Sequence, residues 1–116
     1  MSRRIFACIA LLSASLASSA ARAEDLSASD AKQLFSAYGC NACHEVDEAR
    51  IGPPYRAVAA RYVRSAQVER DEWLARKIRL GGAGSWGFVP MVANPRLSAQ
   101  DALAIARWIL ALEPGA

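Results

Sequence analysis

Apolar side chains recur at helical spacing in four stretches of the chain. Over residues 26–39, Ala31, Leu34, Phe35 and Tyr38 fall at i, i+3, i+4 and i+7. Ser27 or Ser29 is placed to cap the start, and Gly39 to end it. Residues 55–62 carry Tyr55, Val58, Ala59 and Tyr62 on one face, a weaker helical signal after the turn "IGPPY". Residues 69–82 have acids in the first turn, bases in the last and Gly81-Gly82 as a stop, an arrangement that complements the helix dipole. Residues 97–115 open on Ser98 with an S-x-x-D cap and carry Leu103, Ala106, Ile109 and Leu110. That helix is expected to stop at Pro114-Gly115. The Gly/Pro-rich stretch 83–95 is a loop. No segment alternates apolar and polar residues long enough for a strand, so the fold class is all-α.

The first residues obey a different pattern. Arg3 and Arg4 precede an apolar run of about 13 residues that is too short to span a bilayer. Ala21-Arg22-Ala23 then offers an A-x-A cleavage site before Glu24-Asp25. Residues 1–23 are therefore expected to be a cleaved signal peptide, with residues 24–116 forming one domain. Ser2-Arg3-Arg4-Ile5-Phe6 brushes the twin-arginine pattern, but the short start and Leu/Ala-rich core favour ordinary unfolded export.

Removing the leader changes how charge and cysteine content read. The formal net charge of +3 comes from 14 basic and 11 acidic residues, and the leader holds three of the basic and none of the acidic. The mature chain is formally neutral, so nothing in its charge points to nucleic acid or an anionic membrane. The runs at 45–48 and 56–64 read as solvated faces. Cys8 leaves with the leader, so Cys40 and Cys43 have no other cysteine to pair with outside the reducing cytosol.

These two cysteines belong to "YGCNACHE", residues 38–45, a C-x-x-C-H motif. It admits three chemistries: a redox dithiol, part of a zinc site, or covalent attachment of a c-type haem. Zinc needs four ligands, and two cysteines with the only histidine leave it one short. A thioredoxin-like dithiol accompanies a βαβ pattern that this chain does not offer. Haem attachment explains the spacing best. Two thiols about a helical turn apart can add to the two vinyl groups on one porphyrin edge, and the adjacent His44 can reach the iron. For the iron's other face a second histidine is unavailable. Met91, the only methionine beyond the leader, lies in the 83–95 loop, and a thioether is a soft ligand that raises the potential. Lys32 and Lys77 are alternative donors, each in an expected helix. Without the C-x-x-C-H motif a lone methionine would read as core; with the motif present the ligand reading is preferred.

In their order along the chain, "CNACH", "GPPY", "WGFVPM" and "ARWIL" make the sequence resemble a short bacterial class I cytochrome c, the soluble periplasmic mono-haem carrier. The resemblance covers residues 26–112. It implies a small cytochrome c fold, with N- and C-terminal helices crossing and shorter helices and loops wrapped around one covalent haem c. It implies thioethers at Cys40 and Cys43 and axial ligands His44 and Met91. Further roles carried over are a Pro53 carbonyl bond to the histidine, Trp86 on a haem propionate, Asn94 near the methionine sulfur and Lys77 where relatives often have a propionate-binding arginine. Phe35, Tyr38 and Trp108 would be core, with Gly39 letting the first helix cross the last closely.

The implied function is that of a periplasmic one-electron carrier, not an enzyme. It would be a monomer with transient redox partners meeting the loop from Val89 to Ala93, and without nucleic-acid binding or membrane insertion. The alternatives are a haem subunit of a larger oxidoreductase, a haem protein with a labile sixth ligand, and a thiol-disulfide oxidoreductase.

Overall fold

The computed structural model describes residues 25–65 and 67–113. The expected leader, residues 1–23, and the expected stop at Pro114-Gly115 lie outside the described residues. Within them the chain forms four α-helices and one short 3₁₀-helix: α1 (Ala28–Ala37), the 3₁₀ turn Cys40–Ala42, α2 (Tyr55–Tyr62), α3 (Gln67–Leu80) and α4 (Ala99–Leu110). There is no strand among the described residues, only one isolated pairing between Gly82 and Met91. The all-α expectation and the positions of the four helices agree with this, apart from α3 starting two residues earlier than Glu69.

The caps form as their chemistry requires. Ser27 accepts from the Asp30 amide at 3.1 Å, and Ser98 accepts from the Asp101 amide at 3.0 Å. Each satisfies an N–H that the first helical turn leaves unpaired. Asp101 does not fold back onto its own cap. Its Oδ2 accepts the hydroxyl proton of Tyr38, 3.0 Å away at the end of α1, and so joins the two terminal helices.

The core lies between these elements. Ala31 and Phe35 of α1, Tyr55 and Val58 of α2, and Leu74, Ala75 and Ile78 of α3 meet the buried stripe of α4. That stripe is Ala102, Ile105, Ala106, Ile109 and Leu110, at i, i+3, i+4, i+7 and i+8. It is rotated from the expected face: Leu103 is only half-buried, and Ala102 and Ile105 take its place. The most extensive helix packing is between α3 and α4, and it turns α4 toward that neighbour. The Phe35 ring meets Tyr55 at 4.8 Å and presents an edge-on contact to Trp108 at 5.2 Å, which brings α1, α2 and α4 together. Tyr38 and Trp108 border this core half-buried, while Phe35 lies fully inside it.

Two expectations need correction. Gly39 is not a contact point between crossing helices, because a Cβ there would meet nothing within 4 Å. Glycine is favoured at this position because its φ of 74° lies in the left-handed region, where the chain turns out of α1 into the cysteine motif. Asp71 is also more than a first-turn acid. It is buried, 3.1 Å from Arg70 and 3.5 Å from Arg107, and so links α3 to α4 through a compensated charge.

The Tyr38–Asp101 bond gives a pH dependence. The bond to the carboxylate, and secondarily burial, hold the Tyr38 phenol above its ordinary pKa of about 10. A folded-state value raised above the unfolded one means the contribution is complete below about pH 10 and is lost as pH rises through the folded value. Chemical denaturation should show stability falling across that interval, and Tyr38→Phe should flatten part of the fall. An unchanged slope would show that this bond does not titrate with folding.

Candidate functional site

The cysteine motif is wound by its own backbone. The amides of Cys43 and His44 both donate to the Cys40 carbonyl, at 3.1 and 3.0 Å. This single turn sets the two thiols about one helical turn apart, and they are not joined to each other. Burial pushes the Cys40 thiol above its usual pKa. A thioredoxin-like dithiol would sit on a βαβ unit, and there is no strand among the described residues.

His44 is held more tightly than the motif alone requires. Its Nδ1 lies 2.8 Å from the Pro53 carbonyl. A carbonyl can only accept, so Nδ1 carries the proton and Nε2 keeps its lone pair for another partner. The segment between these residues is a closed turn: the Gly52 amide donates to the Cys43 carbonyl at 2.8 Å, and the Tyr55 amide to the Glu45 carbonyl at 2.9 Å. The Tyr55 ring stacks on the imidazole at 5.3 Å and 17°. Gly52 lies directly against the ring, where a Cβ would come within 2.4 Å of Cε1.

Met91 is positioned by a second close approach. Its amide donates to the Gly82 carbonyl at 2.8 Å, and the Gly82 amide donates to the Met91 carbonyl at 3.0 Å. Gly81, at φ 68°, allows this, since a Cβ there would lie 2.3 Å from the Met91 carbonyl oxygen. The loop is fastened again one turn later, where the Asn94 amide donates to the Arg79 carbonyl at 2.9 Å. Asn94 borders the same space as Met91, and its side chain makes a bond the sequence did not suggest. Its side-chain Nδ2 donates to the Tyr38 carbonyl at 3.2 Å, tying the methionine loop to the residue before Gly39.

These pieces border one cavity of about 460 Å³, lined by Cys40, Cys43, His44, Pro53, Lys77, Trp86, Met91 and Asn94 together with apolar groups of α2, α3 and α4. Every sequence-predicted site residue therefore reaches the same space. Lys32 does not: it is exposed on α1. Two features went unread in the sequence. Arg96 joins Lys77 at the lining, and among the described residues these two cations are its only charged residues. Arg61 of α2 lies over the Trp86 ring at 4.6 Å. Neither Arg96 nor Arg61 belongs to a recognisable motif, and a basic residue on a helix or turn gives no signal of what it faces.

The donor set and the cavity fit a haem c. Its flat apolar ring matches the walls from Val58, Leu74, Ile78, Ile105 and Ile109, and two thiols and an imidazole with a free nitrogen stand at one place in the lining. With Lys77 and Arg96 present and no carboxylate among the described residues of the lining, the two propionates would meet favourable charge.

The contact at Gly52 can be tested directly. Gly52→Ala must displace the imidazole or open the turn, and should cost about 1–3 kcal/mol of stability in denaturant unfolding. Ring nitrogen-15 NMR should show His44 losing its fixed Nδ1–H tautomer. An unmoved ring in that variant would show that Gly52 does not set its position.

Known proteins resemble this chain over most of its described length. The Cytochrome c family model matches residues 28–113. The chain is 38% identical over 79 residues to cytochrome c-551 of Azotobacter vinelandii, covering 68% of this chain and 93% of that one. It is 43% identical over 74 residues to cytochrome c-551 of Allochromatium vinosum, covering 64% and 77% respectively. The crystal structure of Nitrosomonas europaea cytochrome c552 superposes with a TM-score of 0.67 at 38% identity, covering 71% of this chain and 99% of that one. The chain belongs to the cytochrome c family, and it is a small electron carrier with one covalently bound haem c, not an enzyme.

Proposed function

We propose that the protein is a periplasmic one-electron carrier whose haem is attached through Cys40 and Cys43, with His44 and Met91 as the two axial ligands. The observation that carries this reading is the paired backbone bonding of Met91 to Gly82, which fastens the only methionine beyond the leader at the border of the cavity that His44 enters. When bound, the haem supplies a one-electron Fe(III)/Fe(II) couple, and a thioether ligand favours the reduced state.

The chain's own residues then hold and shield. The Pro53 carbonyl fixes the His44 ring and strengthens it as a donor. Gly81 and Gly82 keep the Met91 backbone in place, so the ligand need not be recruited at each turnover. Trp86, Lys77 and Arg96 line the cavity and would meet the propionates, and the apolar groups of α2, α3 and α4 would keep water from a bound ring. With both axial positions filled, no position remains for a substrate, which suits a carrier.

Export by residues 1–23 as a cleaved leader accounts for the periplasmic assignment and leaves residues 24–116 as the working domain. No helix among the described residues is long and apolar enough to cross a membrane. Transient redox partners would meet the exposed apolar loop around Met91. Val89 and Val92 are joined there by Phe88, whose side chain is wholly solvent-exposed. A small contact of this kind suits brief encounters between monomers.

The decisive experiment is Met91→Ala in the haem-loaded protein. The far-red sulfur-to-iron absorption band of the oxidised parent should vanish, the reduction potential should fall, and the iron should become able to bind external ligands. A variant whose spectrum and potential match the parent's would overturn the axial assignment, leaving the sixth position to a labile or different ligand.

A further inference from the structure

We propose that Arg61 is a positioning residue for Trp86, holding the indole at the cavity edge and through it setting the reduction potential. The inference rests on the proposed contact between Trp86 and a haem propionate, and extends it to a residue that is not itself part of the cavity lining but holds two residues that are, Ser85 and Trp86.

Trp86 sits in a tight turn closed by one backbone bond, from the Gly84 amide to the Gly87 carbonyl at 3.1 Å, which fixes the main chain but not the indole. Gly84 and Gly87 flank it at φ 92° and 118°, each with open space where a side chain would be, and the indole is 43% exposed. Among the described residues no protein group accepts its N–H, so that donor is available for a carboxylate. Two side chains of α2 restrain the ring instead. Tyr62 meets it edge-on at 6.4 Å and packs in turn against Trp73 of α3 at 4.7 Å. Arg61 covers it with the guanidinium carbon 4.6 Å from the ring centroid, while Nη1 of the same group donates to the Ser85 carbonyl.

One planar group thus fastens both the ring and the backbone beside it. Lysine cannot do this, because a compact ammonium does not lie flat on an indole while donating in the plane of the fork. Among the described residues no carboxylate pairs with Arg61, so its charge stands uncompensated at the edge of the cavity. A fixed positive charge there, and an indole N–H kept on a propionate, both oppose oxidation of the iron. Loss of either lowers the potential.

The test uses the haem-loaded protein with Arg61→Ala and Arg61→Lys. The readouts are hydrogen exchange of the Trp86 indole N–H in the reduced state by NMR, and the reduction potential by voltammetry. Arg61→Ala should exchange roughly three- to tenfold faster, as expected for losing one stacked cation, with a lower potential. Arg61→Lys should recover part of the potential, since the charge returns, yet leave exchange fast, since the fork does not. Unchanged exchange or unchanged potential in Arg61→Ala overturns the proposal, as does parent-like exchange in Arg61→Lys. Should Arg61→Ala fail to yield loaded protein, exchange in Arg61→Lys decides alone: fast supports positioning, parent-like refutes it. The far-red band of these variants stays with Met91, so failure of the axial assignment is read separately.

Discussion

The bond between His44 Nδ1 and the Pro53 carbonyl is the constraint on which the rest of the site depends. It selects the tautomer, leaves the Nε2 lone pair of this cavity-lining residue free and closes the chain from the cysteine motif to the start of α2. That closure is so tight that residue 52 has no room for a Cβ. Tyr55 can then stack on the imidazole while its ring also joins the Phe35–Trp108 cluster of the core. The proposed iron ligand and the hydrophobic core are therefore not separable: burying Tyr55 orients His44. Burial of the Tyr55 phenol, which pushes its pKa far up, reflects how dry this junction is.

The methionine side of the cavity follows the same logic with different means. No side chain supports Met91 directly from its own helix, because it belongs to none. Its backbone is instead paired with Gly82 at the end of α3, and Asn94 carries the loop back to Tyr38 at the end of α1. Tyr38 is also bonded to Asp101 at the start of α4. One residue at the exit of α1 thus connects the cysteine motif, the methionine loop and the C-terminal helix. Fixing both sides from rigid helix ends favours a carrier, since a site that moves little between its oxidised and reduced states loses little energy to rearrangement.

The cysteine motif and the ordered signals after it were readable because their chemistry is local. C-x-x-C-H needs one turn of backbone, and the caps at Ser27 and Ser98 need three residues each. The role of Gly39 was misplaced, and the Asn94 bond to Tyr38 went unread, because one depends on a dihedral angle and the other on a distant neighbour. Asn94 could face the sulfur or the Tyr38 carbonyl with the same residues beside it in sequence. Glycine before a cysteine motif reads alike whether it relieves a clash or permits a left-handed turn. The α4 stripe was displaced for a related reason. With leucine, isoleucine and alanine on several faces, periodicity allowed two orientations, and packing against α3 selected the one that buries Ala102 and Ile105.

By itself, then, the sequence determined the helices, the C-x-x-C-H motif that carries the proposed haem attachment at Cys40 and Cys43, and the short list of possible iron ligands, since each follows from residue type and near spacing. Only the tertiary structure decided what converges on the cavity. It brought Arg96 to its lining and Arg61 over Trp86, and it buried Asp71 between two arginines. Those placements depend on how α2, α3 and α4 pack. A charged residue on a helix carries no mark of the face it will be given until its neighbours bury the other side.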